Sequence, residues 1–406
     1  MKDLELSFEI LKKIYIEQAY ASLELSKRLK EAENPKFVTS LVYGVLEKDT
    51  ELEYYISKLV TKKPRNVVVI ILKMGMYIIK YFDSVPTYAA VNETVELCNA
   101  VGKKEIKGFV NAVLKKFSTT KFKMPSDDVT LMSIKTSTPI FVTRKIINQY
   151  GLDKAEAILT KSKFDYEHIR INKKKTTLKE IEDKIKDFIP STENSIYAKN
   201  DKTVKDLYSE GLITIQSLSS MKCCETLAPK DGDKILDLCS APGGKSMYMA
   251  ELANVSIVSC DIHDHRLKLI QSYANRMGID CIEIKKNDAE KENKDFINMF
   301  DKVLCDVPCS GLGVALKKPD IYLNMCENDI ISLSKVQARI LDTASKYVKK
   351  GGFIVYSTCT ILKEENQDVV ENFLKKHKNF KSIEEIQLLP DGKGQDGFYI
   401  HKLKRL

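Results

Sequence analysis

Ile235-Leu-Asp-Leu-Cys-Ser-Ala-Pro-Gly-Gly-Lys-Ser246 decides the fold of the larger part of this 406-residue chain. The apolar run Ile235 to Cys239 stops at a Pro-Gly-Gly turn, and a helix-like segment, Lys245 to Leu252, follows. A strand, a short glycine loop and a helix N-terminus in that order let backbone come close to a nucleotide-like ligand. Strands are expected over 235–239, 255–261, 281–286, 302–306 and 352–357, with helices over 245–252, 264–277, 330–349 and 364–376. This alternation predicts a mostly parallel sheet with helices on both faces.

Such a sheet binds its ligand at the carboxyl ends of the central strands. The first strand end carries Cys239, Ser240, Ala241, Pro242, Gly243, Gly244 and Lys245; the next three carry Asp261, Asp288 and Asp306. Asp261 follows Cys239 by about the 20 residues at which an acid meets ribose hydroxyls. Its carboxylate can accept from both hydroxyls, and Asp288 would suit an adenine edge. A dinucleotide loop needs G-x-G-x-x-G, which is missing. A P-loop would need glycine at position 239, where Cys239 stands, so an ATPase is the weaker reading. An adenosyl ligand without phosphates, S-adenosylmethionine, fits the short loop better.

The fourth strand end and a fifth carry thiols: Asp306-Val-Pro-Cys309 and Ser357-Thr-Cys359. Carbon 5 of cytosine is a poor nucleophile until something adds to carbon 6. A thiolate can add there, giving an enamine that accepts a methyl group before a base removes the C5 proton and the enzyme is eliminated. A free thiol is only about 3% ionised at pH 7, so a site using this chemistry must favour the thiolate. Asp306 can bond the pairing edge of the ring and offset charge as the thiolate adds. These residues alone do not say which cysteine attacks.

The motifs LDLCSAPGGKS, DVPCSGLGV with KKPDI after it, and YSTCT followed by KEEN resemble those of the RNA cytosine-5 methyltransferases. Within them the chain is similar to the RsmB type (Sun family), bacterial 16S ribosomal RNA methyltransferases. PTYAAVNETVEL and GFVNAVLKKF resemble their NusB-like helical domain. IRIN and EGLITIQSLSS resemble the RNA-binding segment before the catalytic domain, and DGFYIHKLKRL their C-terminal strand. The resemblance implies that Cys359 is the nucleophile and that Cys309 assists release of the methylated base. It also implies that Cys239 to Lys245, Asp261, Asp288 and Asp306 contact the cofactor or target base. In the DNA cytosine methyltransferases the Pro-Cys thiol attacks, which keeps Cys309 as the alternative nucleophile. Two departures concern RNA docking: Gln216 is followed by Ser217 where the family usually has an acid, and Lys317-Lys318 replaces a more arginine-rich turn.

Residues 1 to about 120 show helical spacing throughout, as in Leu4, Phe8, Leu11 and Ile14. The β-branched run Val67 to Leu72 continues helically through Ile79, which favours a fully buried helix. A polar stretch from Ser118 to Asp128 suggests a linker. A helix from Pro139, a strand over 168–172 and a helix from Thr177 suggest a small α+β module. The expected architecture is therefore multidomain: an all-α NusB-like bundle over 1–125, a linker and small α+β RNA-binding module over 126–205, and an α/β Rossmann-like methyltransferase domain over 206–406.

Residues 1–125 carry 21 Lys/Arg against 15 Asp/Glu, residues 126–205 carry 16 against 12, and residues 206–406 carry 28 against 29. The basic surplus of the front half fits a polyanion partner, ribosomal RNA before or during subunit assembly, or a transfer RNA. No stretch approaches the roughly 18 apolar residues of a membrane helix, and no secretory signal is visible, so a cytoplasmic protein without a membrane partner is expected. The ten cysteines are expected to be reduced; Cys281 and Cys326 are assigned to packing, and no CxxC suggests zinc. No obligatory protein partner is implied. A non-catalytic RNA-binding factor built on the helical half is the competing reading from another class.

Overall fold

The computed structural model describes residues 1–161, 164–323, 325–391 and 394–406. They form two compact units: Met1–Lys161 with Ala315–Met325, and Ser162–Val314 with Cys326–Leu406.

The first unit is helical. Helices Lys2–Glu17, Pro35–Glu47, Asn66–Tyr81, Thr87–Ala100 and Lys107–Thr119 surround a core that includes Leu11, Leu41, Ile71 and Leu114. The β-branched run lies in Asn66–Tyr81, with Ile70, Ile71 and Leu72 all buried. Burial on nearly all sides explains why its sequence shows so little polar periodicity. Lys73 is buried in this helix, and its Nζ lies 2.6 Å from Asp49 and 3.0 Å from Glu53. The stretch expected to be a linker ends in a helix, Asp128–Thr136, which Asp127 caps by accepting from the Thr130 N–H at 2.8 Å. Ala315–Met325 also belongs to this unit. Its Asp320 accepts from the Ala21 N–H at 3.1 Å, at the start of helix Ala21–Arg28, and Leu323 packs on the helical core.

The second unit contains two sheets. Strands β1 (Glu167–Ile171), β2 (Phe188–Thr192), β3 (Ser195–Ala198) and β4 (Ile213–Ile215) form an antiparallel sheet in the order β2-β3-β1-β4. Only β1 and the capped helix Leu178–Lys184, whose Thr177 and Glu180 form a capping box, match elements expected from the sequence.

The larger sheet contains β5 (Lys234–Asp237), β6 (Ser256–Asp261), β7 (Ile282–Lys286), β8 (Phe300–Asp306), β9 (Val348–Thr358), β10 (Phe380–Leu388) and β11 (Phe398–Arg405). Its order is β10-β11-β9-β8-β5-β6-β7. β7 through β9 run parallel, and β11 is antiparallel to both neighbours. Helices Glu327–Tyr347 and Gln367–Lys376 pack on one face through Ile340, Leu341 and Phe373. Helices Leu218–Leu227, Gly244–Leu252 and Asp264–Met277 pack on the other through Met221, Met247 and Ile270. Strand order reverses at β5, which opens a crevice at its carboxyl end. The edge strand β10 escaped the sequence reading because Lys381, Glu384 and Glu385 face solvent and break its apolar pattern.

Arg170 of β1 and Glu251 of helix Gly244–Leu252 form a fully buried ion pair, with the guanidinium 4.8 Å from the Tyr248 ring centre. Asn172 donates to the carbonyls of Gly211 at 2.8 Å and Met277 at 2.9 Å. These bonds seat the small sheet against the helices that cover the larger one. Lys175, read as part of a basic turn, donates to the carbonyls of Arg276 and Glu210. Cys326 is not packed as expected; it is exposed and precedes helix Glu327–Tyr347 as its N-cap.

Candidate active site

The glycine loop is held between its two neighbouring strands. The Leu238 N–H donates to Leu304 of β8, and the Ser240 N–H donates to Cys260 of β6 at 2.8 Å. Gly243 has φ +109°, a conformation that favours glycine, and it caps the helix that carries Lys245. That helix turns Lys245 towards β8, where its Nζ lies 2.7 Å from Asp306 Oδ2. Ser357 donates to the other Asp306 oxygen at 2.9 Å, and Cys223 donates to Ser357 at 3.2 Å. Asp306 lies close to Lys245 in space although 61 positions separate them.

The two thiols meet in the same crevice. Cys309 Sγ and Cys359 Sγ lie 3.2 Å apart, and the Cys359 N–H approaches Cys309 Sγ at 3.3 Å. Its bond to Cys359, and then burial, hold the Cys309 thiol well above its ordinary pKa. A protonated Cys309 can therefore donate to Cys359 Sγ.

Residues the sequence reading did not single out hold this pair. Glu365 is fully buried; it accepts from the Ser310 N–H at 2.8 Å, from the Ser310 hydroxyl at 2.5 Å and from Gln337 Nε2 at 2.9 Å. Gln337 also donates to the Pro308 carbonyl at 2.9 Å. Asn366 accepts from Thr358 at 2.5 Å and donates to the Thr360 carbonyl at 3.1 Å. Each cysteine is thus flanked by side-chain bonds from the segment Glu365-Asn366. A signal existed: Glu365 and Asn366 are the last two residues of the KEEN motif, and Gln337 lies on the buried stripe of a helix with Ile340 and Leu341.

Asp261 and Asp288 stand at neighbouring strand ends. Asp261 is 5% exposed; it accepts from the His263 N–H at 3.0 Å and lies 3.6 Å from Arg266. Asp288 pairs with Lys291 at 2.9 Å, which lowers its pKa. The Asn287 N–H donates to the Asp261 carbonyl at 3.2 Å, joining the two ends. Asp237, at the end of β5, is fully buried, bonded by Ser246 at 2.6 Å and pushed up to about 7 by burial. No group of three or more His, Cys, Asp or Glu side chains among the described residues is arranged to hold a metal ion.

The donor set fits an adenosyl ligand carrying an amino acid. Carboxylates line the β6 and β7 ends, while the one loop lysine is committed to Asp306 rather than left for a phosphate. That commitment argues against a triphosphate site.

Models of two known families match the chain: the NusB family over residues 1–119, and the 16S rRNA methyltransferase RsmB/F family over 224–404. The probable ribosomal RNA small subunit methyltransferase B of Bacillus subtilis is 32% identical, covering 99% of this chain and 98% of its own. The chain belongs to the ribosomal RNA small subunit methyltransferase B family. The family member from Salmonella dublin is 31% identical over 89% of each chain. Among solved structures, PH0851 aligns over 99% of this chain and 98% of its own at a TM-score of 0.86 and 22% identity. NSun6 from Pyrococcus horikoshii with SFG aligns over 64% of this chain and 97% of its own, at 0.59 and 20%. Both are likenesses of fold. The NusB-like helical and Rossmann-like methyltransferase folds expected from the sequence are thus present. The methyl donor is S-adenosylmethionine, as in the family.

Proposed function

We propose that this methyltransferase transfers a methyl group to carbon 5 of a cytosine in 16S ribosomal RNA through a covalent cysteine–cytosine intermediate. The observation that carries the reading is the 3.2 Å separation of two thiols at adjacent strand ends, beside the Lys245–Asp306 pair. Cys239, Ser240, Ala241, Pro242, Gly243 and Gly244, with Asp261 and Asp288, hold the cofactor. When bound, S-adenosylmethionine supplies an electrophilic methyl group. Cys359 adds to carbon 6, and Asp306 bonds the pairing edge of the base while Lys245 and Ser357 hold its side chain in place. While Cys359 carries negative charge, Cys309 keeps its proton. Once Cys359 is bonded to carbon and that charge is gone, Cys309 can release its own proton to water, take the C5 proton as a thiolate and allow Cys359 to leave as a thiolate.

The target is a base taken out of its stack, which costs a few kcal/mol and less in a loop or unassembled RNA. We therefore place its action before or during subunit assembly, in the cytoplasm, with 1–125, 126–205 and 206–406 supplying the helical, RNA-binding and catalytic parts, of which the helices up to Leu159 and Ala315–Met325 pack in the helical unit. No helix among the described residues is long and apolar enough to cross a membrane.

Trapping tests the assignment. With 5-fluorocytidine RNA and the methyl donor, the wild type gives an adduct that survives denaturation, and Cys359→Ala gives none. Cys309→Ala accumulates an adduct on ordinary RNA. The reverse pattern would exchange the two roles, and no adduct from the wild type would remove the covalent mechanism.

A further inference from the structure

Away from the crevice, the amino end of the large sheet gathers more lysines than its carboxylates pair. Lys302 of β8, Phe353 of β9 and Lys404 of β11 are directly paired across the strands. Lys404 and Lys402 bring their Nζ atoms to 5.5 and 5.0 Å from the Phe353 ring centre. Lys230 and Lys350, with Lys302 and Phe353 of this row, line a cavity of about 340 Å³, and Lys402 and Lys404 reach the same ring from β11. Its two carboxylates are already engaged: Asp233 with Lys302 at 2.7 Å, and Asp301 with Lys349 at 2.7 Å. Among the described residues, no carboxylate lies within ion-pair distance of Lys230, Lys350, Lys402 or Lys404. Burial, reinforced by Lys302 and Lys230, lowers the Lys402 pKa even though Glu384 stands opposite it on β10. The stretch 206–406 holds 28 basic and 29 acidic residues, so this cluster is a local arrangement and not a general surplus.

Like charges gathered round an aromatic ring raise one another's energy, and a polyanion relieves the repulsion while releasing its own counterions. A ring flanked by cations also suits an unpaired base, since stacking is tolerant of sequence. We propose that this cleft is a second RNA-binding surface, which grips the phosphate backbone of the ribosomal RNA at a segment distant in structure from the target cytosine. The inference rests on the ribosomal RNA substrate reading. It adds that the catalytic unit holds its RNA at both ends of one sheet, so a long substrate gains contacts that a short one lacks.

The test compares two RNAs across a salt series, using the full-length chain. The triple variant Lys230→Glu, Lys350→Glu, Lys404→Glu is measured against full-length 16S ribosomal RNA and against a short cytosine-bearing single strand. Expected is a loss of about tenfold or more in affinity for the long RNA at low salt, with the slope of log Kd against log salt falling by about 2. Affinity for the short strand stays within about twofold. A Lys→Gln triple variant reports the same direction with a smaller loss and guards against misfolding of the charge reversal. Unchanged affinity and slope for the long RNA would overturn the proposal, and so would equal losses on both RNAs. Wild-type methyl transfer to ribosomal RNA is assayed alongside. Its absence would count against the substrate reading, whereas its presence with unaltered binding by the variants would count against the surface alone.

Discussion

Two cation–carboxylate pairs in the same unit have opposite characters. Arg170–Glu251 is completely buried, and burial raises the pKa of its carboxyl group. Lys245–Asp306 is partly open, with side chains 14% and 27% exposed, and the second Asp306 oxygen is bonded by Ser357. The first pair has nowhere to send its charge and holds two sheets together. The second sits where a ligand can reach it, with one carboxylate face poised by neighbours. A buried pair is costly to half-remove, whereas a half-open pair at strand ends can be lost with little effect on folding.

The largest expected effect sharpens that contrast. Asp306→Asn should lower kcat by at least about 100-fold, about 2.7 kcal/mol of barrier, with the melting temperature changed by no more than a few degrees. Unfolding of the variant in parallel with its loss of activity would remove the distinction. Arg170→Ala should do the converse, destabilising by roughly 3–5 kcal/mol because Glu251 is left buried and uncompensated. Arg170→Met with Glu251→Leu should recover most of that loss, as read by denaturant unfolding. If kcat at low temperature falls as far in Arg170→Ala as in Asp306→Asn, the pair is not merely structural.

Glu365→Gln should cost roughly 1–3 kcal/mol, since an amide nitrogen then faces the donors of Ser310 or Gln337. Its kcat should fall with KM for RNA little changed, because the Ser310 turn beside Cys309 loosens while the RNA surfaces stay intact. The last effect concerns Asp237 and shows only as a dependence on pH. Its folded pKa of about 7 lies above the unfolded value, so the native state binds the extra proton. Stability should therefore fall as pH rises from about 4 to 7, by at most about 1.4 kcal/mol per pH unit. Asp237→Asn should flatten that decline in thermal unfolding measured across the range. An unchanged slope would show that Asp237 ionises normally.

Much of the catalytic sheet was legible. The expected strands at 235–239, 255–261, 281–286 and 302–306 correspond to β5 to β8 with ends shifted by one or two residues. Short apolar runs between turn residues carry a strong local signal. The small sheet was mostly hidden: β2 contains Pro190 and exposed positions, and β4 has only three residues. Helix Asp128–Thr136 was hidden for another reason, since its Ser and Thr content resembles a linker and only the Asp127 cap marks its start. Within the site, Cys309, Cys359, Lys245 and Asp306 were identified from their motifs. Gln337, Glu365 and the Arg170–Glu251 pair were not, because a buried polar residue in an apolar stripe looks like a surface position until its partner is known.

The sequence by itself determined the alternation of elements, the glycine loop and the motifs that hold the residues proposed for the chemistry, because these depend on interactions within a few positions along the chain. Tertiary structure alone decided which of them meet. It brought together two thiols 50 positions apart and joined Ala315–Met325 to the helical unit. It also left four lysines at the far end of the sheet with no carboxylate of the described residues within ion-pair distance. Strand order and register set those distances, and neither is written in the spacing of residues along the chain.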